Sequence, residues 1–368
     1  MKSYAMPFPE AEKSSPGRLF RRLTAVLILI SIPAVFSGCA EVKETNDMAI
    51  LSGMSVDVDA SGRWEITAEV VNKTADASPE ETRRVIRSNG STLGDALENL
   101  NFQDSRQIYF SHAKTLVLSR YLAETQGVGP VADYVMRNYK TRLSMDLLVS
   151  DLPDASAVAD LSSSSSGLIY YDLEELVKTD RQYGACSPTK VYQAVNLLKE
   201  SGADLTIPLI SQRDDRACLA GTAVFSGDRM TGSLDQDETL YLQLLQDHLE
   251  NAHLVLPEEN MTFQVMDADA SFRPVVSGGK PALNVDLKLS CTLSQAGRTV
   301  TREDTETLSE KLSQLVRSRC SALITKAQHW DADIFGFGKS MGGLTYDFSA
   351  LPVTVNCEIN LKLGEVHR

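Results

Sequence analysis

A chain of 368 residues with 49 Asp and Glu against 36 Lys and Arg carries a formal charge of −13 at pH 7. Such a surface repels phosphate backbones and argues against nucleic acid as a partner. Hydrophobic residues make up 43% of the chain, enough for two packed domains and too many for a disordered chain.

The first element is a leader. Arg18, Arg21 and Arg22 precede an apolar run from Leu23 to Phe36, followed by Ser37-Gly38-Cys39. A positive segment, a short apolar segment and small residues make a secretory signal. The run falls short of the roughly 20 residues that span a bilayer. Small residues just before a cysteine suit a lipoprotein signal peptidase, which works close to the backbone and leaves the lipid on the thiol. Cys39 is therefore expected to be the mature N-terminus and to carry a diacylglycerol, with residues 1–38 removed. Acyl chains contribute about 0.8 kcal/mol per buried CH₂, so two of them anchor a protein without a spanning helix. The leader holds five Lys/Arg and two Asp/Glu, so its removal takes the charge from −13 to near −16.

Residues 39–47 read as a polar tether. A β-hairpin follows: Met48–Val58 is apolar and β-branched, Trp64, Ile66, Ala68 and Val70 alternate with polar neighbours, and Asp59–Gly62 is the turn. Residues 72–91 read as a loop. A helix is expected from about Thr92 to Phe102, then a strand at Lys114–Ser119, helix over Tyr121–Tyr139 and a strand at Leu143–Ser150. This order implies a mixed α/β domain. The Ser162–Ser166 run reads as a flexible loop, followed by helical patterns at Tyr171–Thr179 and Thr189–Ser201. Pro208 and Arg213-Asp214-Asp215-Arg216 mark the best boundary.

Beyond it, Ala217–Phe225 and Met230–Gly232 read as a hairpin. Asp235 and Glu238 have capping-box spacing for a helix reaching about His248. Leu283 to Leu293 and Val353 to Leu363 alternate strictly, the pattern of an antiparallel sheet with one wet face. Between them a long helix from about Arg302 to His329 presents Leu308, Leu312, Leu315, Val316, Leu323, Ile324 and Ala327 on one side. The expected fold class is α+β. An N-terminal mixed α/β domain (48–212) precedes a C-terminal antiparallel sheet packed by a long helix (213–368). A third, small domain at 187–212 is the variant of this division.

Chemistry is sparse. There is no GxSxG; Gly90–Gly94 has the wrong spacing and reads as a helix start. His248 and His253 would diverge by roughly 140° on a helix, and HExxH is absent. Asp57, Asp59, Ser61 and Gly62 match the opening of a calcium loop, but position twelve is Ala68, and a hairpin turn fits better. Of the cysteines after Cys39, Cys291 and Cys357 fall on apolar strand faces and Cys320 on an apolar helix face, as small buried hydrophobes. A bridge between Cys186 and Cys218 stays open. No catalytic residue, metal set or cofactor is expected. Arg106, Tyr109 and His112, polar residues beside a strand, are the expected partner surface.

Several segments in fixed order resemble the Ger(x)C lipoprotein family, the C subunit of spore germinant receptors. They are the lipobox; Met48–Gly53 leading to Asp57 and the Asp59–Gly62 turn; Ser105–His112; Gly221–Phe225 with Gly232–Asp235 and Glu238; and Asp331–Lys339 after the long helix. Asp333-Ile334-Phe335-Gly336-Phe337-Gly338 is the most specific of them. Ala40-Glu41 stands where the family commonly has Trp-Asp, and Met341–Leu351 lacks the usual Trp. The resemblance implies a non-enzymatic lipoprotein at the spore inner membrane, on its outer face, beside membrane-spanning A and B subunits. Together these respond to small nutrients. Asp333, Gly336, Phe337 and Gly338 would then be structural residues of the family motif, with Phe337 seated in the core between two glycines. A lipid-anchored solute-binding protein is the alternative; it predicts two similar lobes around an apolar cleft. A tethered hydrolase would need an activated nucleophile.

Overall fold

Two sheets of unequal size organise the chain. In the computed structural model, residues 48–363 are described apart from 72–82, 139–140, 164, 182–183, 185, 201 and 250, together with Phe20. Cys39, the rest of the leader and the 39–47 tether lie outside the described residues.

The first hairpin joins β1 (Met48–Val58) to β2 (Trp64–Val71). Its turn is held by the Asp59 carboxylate, which accepts from the N–H groups of Ser61 (2.8 Å) and Arg63 (2.9 Å), with Gly62 at φ 83°. β3 (Arg83–Gly90) pairs antiparallel with β2. α1 (Leu93–Asn101) starts at Thr92, whose side chain accepts from the Asp95 N–H. β4 (Gln107–Tyr109) and β5 (Thr115–Ser119) both lie parallel to β1. α2 (Arg120–Thr125) and α3 (Gly129–Arg137) lead to β6 (Asp146–Ser150), parallel to β5. α4 (Ile169–Arg181) and α5 (Val191–Leu197) lead to β7 (Thr206–Arg213), parallel to β6. β8 (Arg216–Ser226) and β9 (Arg229–Leu234) complete this sheet as antiparallel neighbours. Its order is β3-β2-β1-β5-β6-β7-β8-β9, with β4 beside β1.

α6 (Gln236–Leu245) opens on the expected capping box: the Glu238 N–H donates to Asp235 (2.8 Å) and the Asp235 N–H to Glu238 (3.0 Å). β10 (His253–Leu256), β11 (Met261–Ser277) and β12 (Lys280–Ala296) form an antiparallel meander. α7 (Asp304–His329) crosses one face, α8 (Phe337–Ser340) follows, and β13 (Val353–Lys362) pairs with β12.

The α+β class stands, with three differences of detail. β13 runs parallel to β12, because a strand returning through a helix laid across the sheet arrives in the original direction. Residues 83–90, expected within a loop, are β3. Only Ile86 and Gly90 of that strand are buried, so its sequence lacks an apolar stripe. The serine run is bound rather than free. Ser163, Ser165 and Ser166 all donate side-chain hydroxyls to the Asp172 carboxylate in the first turn of α4 (2.6, 2.9 and 2.7 Å).

The larger sheet is covered on both faces. One buried layer includes Leu97, Val131 and Val195 from α1, α3 and α5; the other includes Ile169, Tyr170, Leu173 and Val177 from α4. Each such side chain contributes about 1.5–3 kcal/mol on burial. The smaller sheet buries one face under α6 and α7, and Val224 and Leu234 of the larger sheet belong to that same core. The Arg213–Arg216 stretch is a two-residue hairpin turn, with Asp214 and Asp215 at φ 49° and 61°. Residues 213–234 therefore lie in the larger sheet.

Candidate functional site

Strand pairing builds the first candidate surface. Gln107–Tyr109 lies beside Met48–Ile50, so Ser105–His112 borders the point where the chain enters the fold. Alternation buries Ile108 and turns its neighbour Tyr109 outward. A short 3₁₀ turn then brings the His112 ring 5.5 Å from the Tyr109 ring. Both side chains are exposed, whereas Arg106 is half-buried and its backbone N–H donates to Asp104 (2.9 Å). Tyr109 and His112 are an exposed pair on this segment, with Phe102, 78% exposed, on the preceding turn.

The second candidate is the segment after α7, which forms a junction between the sheets. Asp333 is buried, and its carboxylate accepts from the N–H groups of Phe337 (3.0 Å) and Gly338 (2.7 Å). Burial pushes its pKa up, with Asp204 adding to the rise and the two N–H donors opposing it. Its backbone is held from the other side: the Asp333 N–H donates to the Asp204 carboxylate (2.7 Å), and the Asp204 N–H to the Asp333 carbonyl (2.8 Å). The second oxygen of Asp204 accepts from the Gly227 N–H in the β8–β9 turn (2.9 Å). Two carboxylates thus consume backbone donors from residues 333–338 and from Gly227, tying those two segments to the Asp204 loop and fixing where the sheets meet.

The glycines of this motif have different reasons. Gly336 sits at φ 74°, a conformation that side chains disfavour. A Cβ at Gly338 would come within 2.7 Å of the Gly202 Cα and 2.5 Å of the Tyr346 hydroxyl. Between them Phe337 is fully buried, stacked on Phe335 (4.9 Å) and edge-on to Phe272 (4.9 Å). Sequence reasoning missed Gly202 and Asp204, which complete the junction. The pairing of an irregular Gly202-Ala203-Asp204 with an acidic loop after a long helix was the only available signal, and it is a weak one.

Other polar clusters serve the fold. The Asp57 carboxylate accepts from Ser119 (2.5 Å) and from the Val58 and Ala155 N–H groups (both 2.9 Å), so the Asp57–Gly62 segment is a hairpin whose acids face protein donors. Glu69, fully buried, accepts from Ser52 (2.6 Å), Arg83 (2.6 Å) and the Ile169 N–H (3.2 Å). Burial pushes the thiols of Cys291 and Cys357 up to about 11 and about 12 and raises that of Cys320 as well. These thiols stay protonated and weakly nucleophilic. Cys186 is buried with its thiol toward the Val177 carbonyl (3.6 Å), and Cys218 is a half-buried free thiol. Among the described residues no group of three His, Cys, Asp or Glu is arranged to hold a metal ion.

Two family sequence models match this chain in tandem. The one described as a spore germination protein N-terminal domain covers residues 41–212, and the one described as spore germination B3/GerAC like, C-terminal, covers 220–362. Spore germination protein KC of Bacillus subtilis (strain 168) is 21% identical over 87% of this chain and 86% of its own length. Spore germination protein GerQC of Bacillus cereus is 19% identical over 85% and 88%. The crystal structure of the GerBC protein superposes with a TM-score of 0.55 at 15% identity, over 84% of this chain and 96% of that one, a likeness of fold.

Proposed function

Because the chain belongs to the spore germination GerAC-like family, matched over residues 41–212 and 220–362, we infer that it is the lipid-anchored C subunit of a nutrient germinant receptor. In this reading Cys39 carries the lipid, the folded body stands on the outer face of the spore inner membrane, and it acts without catalysis beside the membrane-spanning A and B subunits. The observation that carries the reading is the lipoprotein leader placed directly ahead of both family domains in tandem.

The geometry supports an assembly role. Eight residues lie between Cys39 and Met48, so the nine steps reach at most about 30 Å at 3.3–3.6 Å per residue. β4 pairs with Met48–Ile50, so the Tyr109–His112 surface borders the first strand of the folded body and is offered as the face that meets the partners. The Asp204–Asp333 junction makes the body a single block for such partners to hold. A solute-binding protein of the two-lobe kind fits less well, since one sheet has nine strands and the other four.

The test is a Cys39→Ala change, beside a deletion, in the spore-forming host. The expected outcome is loss of nutrient-triggered germination with sporulation and a nutrient-independent trigger intact, and release of the Cys39→Ala protein from the membrane fraction. A normal nutrient response in the deletion strain, with all other receptors of that host removed, would sink the reading.

A further inference from the structure

Three parallel strands of the larger sheet begin at one end. Gly53 of β1 lies beside Thr115, the first residue of β5, and Thr115 lies beside Asp146, the first of β6. Met48, where the chain enters β1, and the loop ahead of β6 therefore fall at the same end. Large apolar side chains gather there on the α3–α5 side. A groove of about 490 Å³ runs between the two helices, lined by Ala132, Met136, Val195 and Leu198. Met136 is 46% exposed. Tyr192, one turn before Val195 on α5, is 44% exposed, and Leu143, whose carbonyl accepts from the Tyr192 N–H (3.0 Å), is 43% exposed. Large apolar side chains scattered singly are normal on a surface, whereas several around one groove mark a face that meets something apolar.

The uncompensated charges beside this groove are positive, in a chain whose overall charge is −13. The Lys199 ammonium lies 3.4 Å from the Met136 sulfur, and Arg142 donates through Nε to the Ser144 hydroxyl (2.7 Å). Neither forms an ion pair with a carboxylate among the described residues. Asp133, the carboxylate that lines the groove, is already held by Arg137 (2.8 Å). We propose that this end of the larger sheet docks on an anionic lipid surface, with Met136, Leu143 and Tyr192 entering the headgroup layer and Arg142 and Lys199 facing lipid phosphates. Aromatic and aliphatic groups flanked by Lys and Arg suit a surface that lies on a bilayer, and a tyrosine ring suits the headgroup level. The inference rests on the reading of Cys39 as the lipid anchor. That anchor would hold Met48 within about 30 Å of the bilayer, and Met48 belongs to the end that carries Leu143 and Tyr192.

The experiment uses the lipidated protein, prepared from membranes of its host and placed on vesicles of phosphatidylcholine with phosphatidylglycerol. Leu143→Trp adds a reporter indole, read against lipids brominated at the headgroup end of their acyl chains. Native Trp64 pairs with Val58, at the far end of β1 from Met48, and native Trp330 lies against Gly232, so the parent protein gives the background. The added emission should fall about twofold or more on brominated vesicles, as for a group buried about 5–10 Å into the headgroup boundary, and the parent's should not. Arg142→Gln and Lys199→Gln should each lower the docked-to-free ratio about fivefold, and raised salt should lower it too. All three are surface changes, so Tm should hold. Vesicle-bound protein whose added indole is quenched no more than the background, or is quenched equally with both cations removed, overturns the docking face and leaves the anchor standing. A blue shift of that indole that grows with protein concentration, without quenching, overturns it in favour of a second copy of this chain. Protein that stays off the vesicles and lacks the mass of a lipid on Cys39 overturns the anchor reading, and this inference with it.

Discussion

At Gly232 there is no room for a side chain: a Cβ would overlap the Trp330 indole at the end of α7. Gly227, in the neighbouring turn, is the opposite case, with φ 61° and nothing within 4 Å. Alanine at Gly232 must displace a ring and should cost about 1–3 kcal/mol. Alanine at Gly227 meets only backbone strain, near 1 kcal/mol. Urea denaturation of the two variants tests the order. Asp333 gives a pH-dependent counterpart. Its folded pKa lies above the ordinary value because it is buried. Its contribution to stability is therefore full below the unfolded pKa and is lost as pH rises through the folded one. The stability gap between the parent and Asp333→Asn should be widest near pH 4 and shrink toward pH 7. A gap that widens with pH would contradict the direction of the shift.

At the scale of elements, legibility followed the number of faces that each element buries. β1 and β2 alternate or run apolar, and their bounds were plain. α7 shows one apolar stripe and was plain as well. β3 was not, because Arg83, Arg84 and Arg87 dominate an edge strand whose charges find partners only in the folded chain: Arg83 at Glu69, Arg84 at Asp104, Arg87 at Asp160. β11 was hidden by Asp267, Asp269 and Pro274, and by register shifts at Thr262/Phe263 and Val265/Asp267 that break its period. Of the candidate residues, the motif glycines and Phe337 could be read from sequence, since aromatic and glycine spacing is local. Asp204 could not, because its role depends on a residue 129 positions away. The aromatic cluster around Phe337 carries the largest packing load at this junction. Phe337→Ala should cost about 3–5 kcal/mol, measured by thermal or chemical unfolding, while the isolated surface change Tyr109→Ala should stay within about 0.5 kcal/mol.

Taken as a whole, the body from residue 48 onward carries a small exposed aromatic surface beside the first residues of β1. If that surface docks on the membrane-embedded partners, Tyr109→Ala combined with His112→Ala will leave Tm unchanged and slow nutrient-triggered germination, scored by loss of spore refractility. Unimpaired germination would move the interface elsewhere on the body. The placement of the two-residue turn at Asp214-Asp215 has a separate consequence for anyone dividing the protein. Family similarity changes from one model to the other between 212 and 220, yet β7 and β8 are hydrogen-bonded from Thr206/Val224 to Arg213/Arg216. A fragment beginning at residue 216 would bare the whole flank of β8 now covered by β7, a row of unmet N–H and C=O groups open to pairing with another copy. It should sediment as aggregates, whereas division just after Leu234 leaves every strand with its present neighbours.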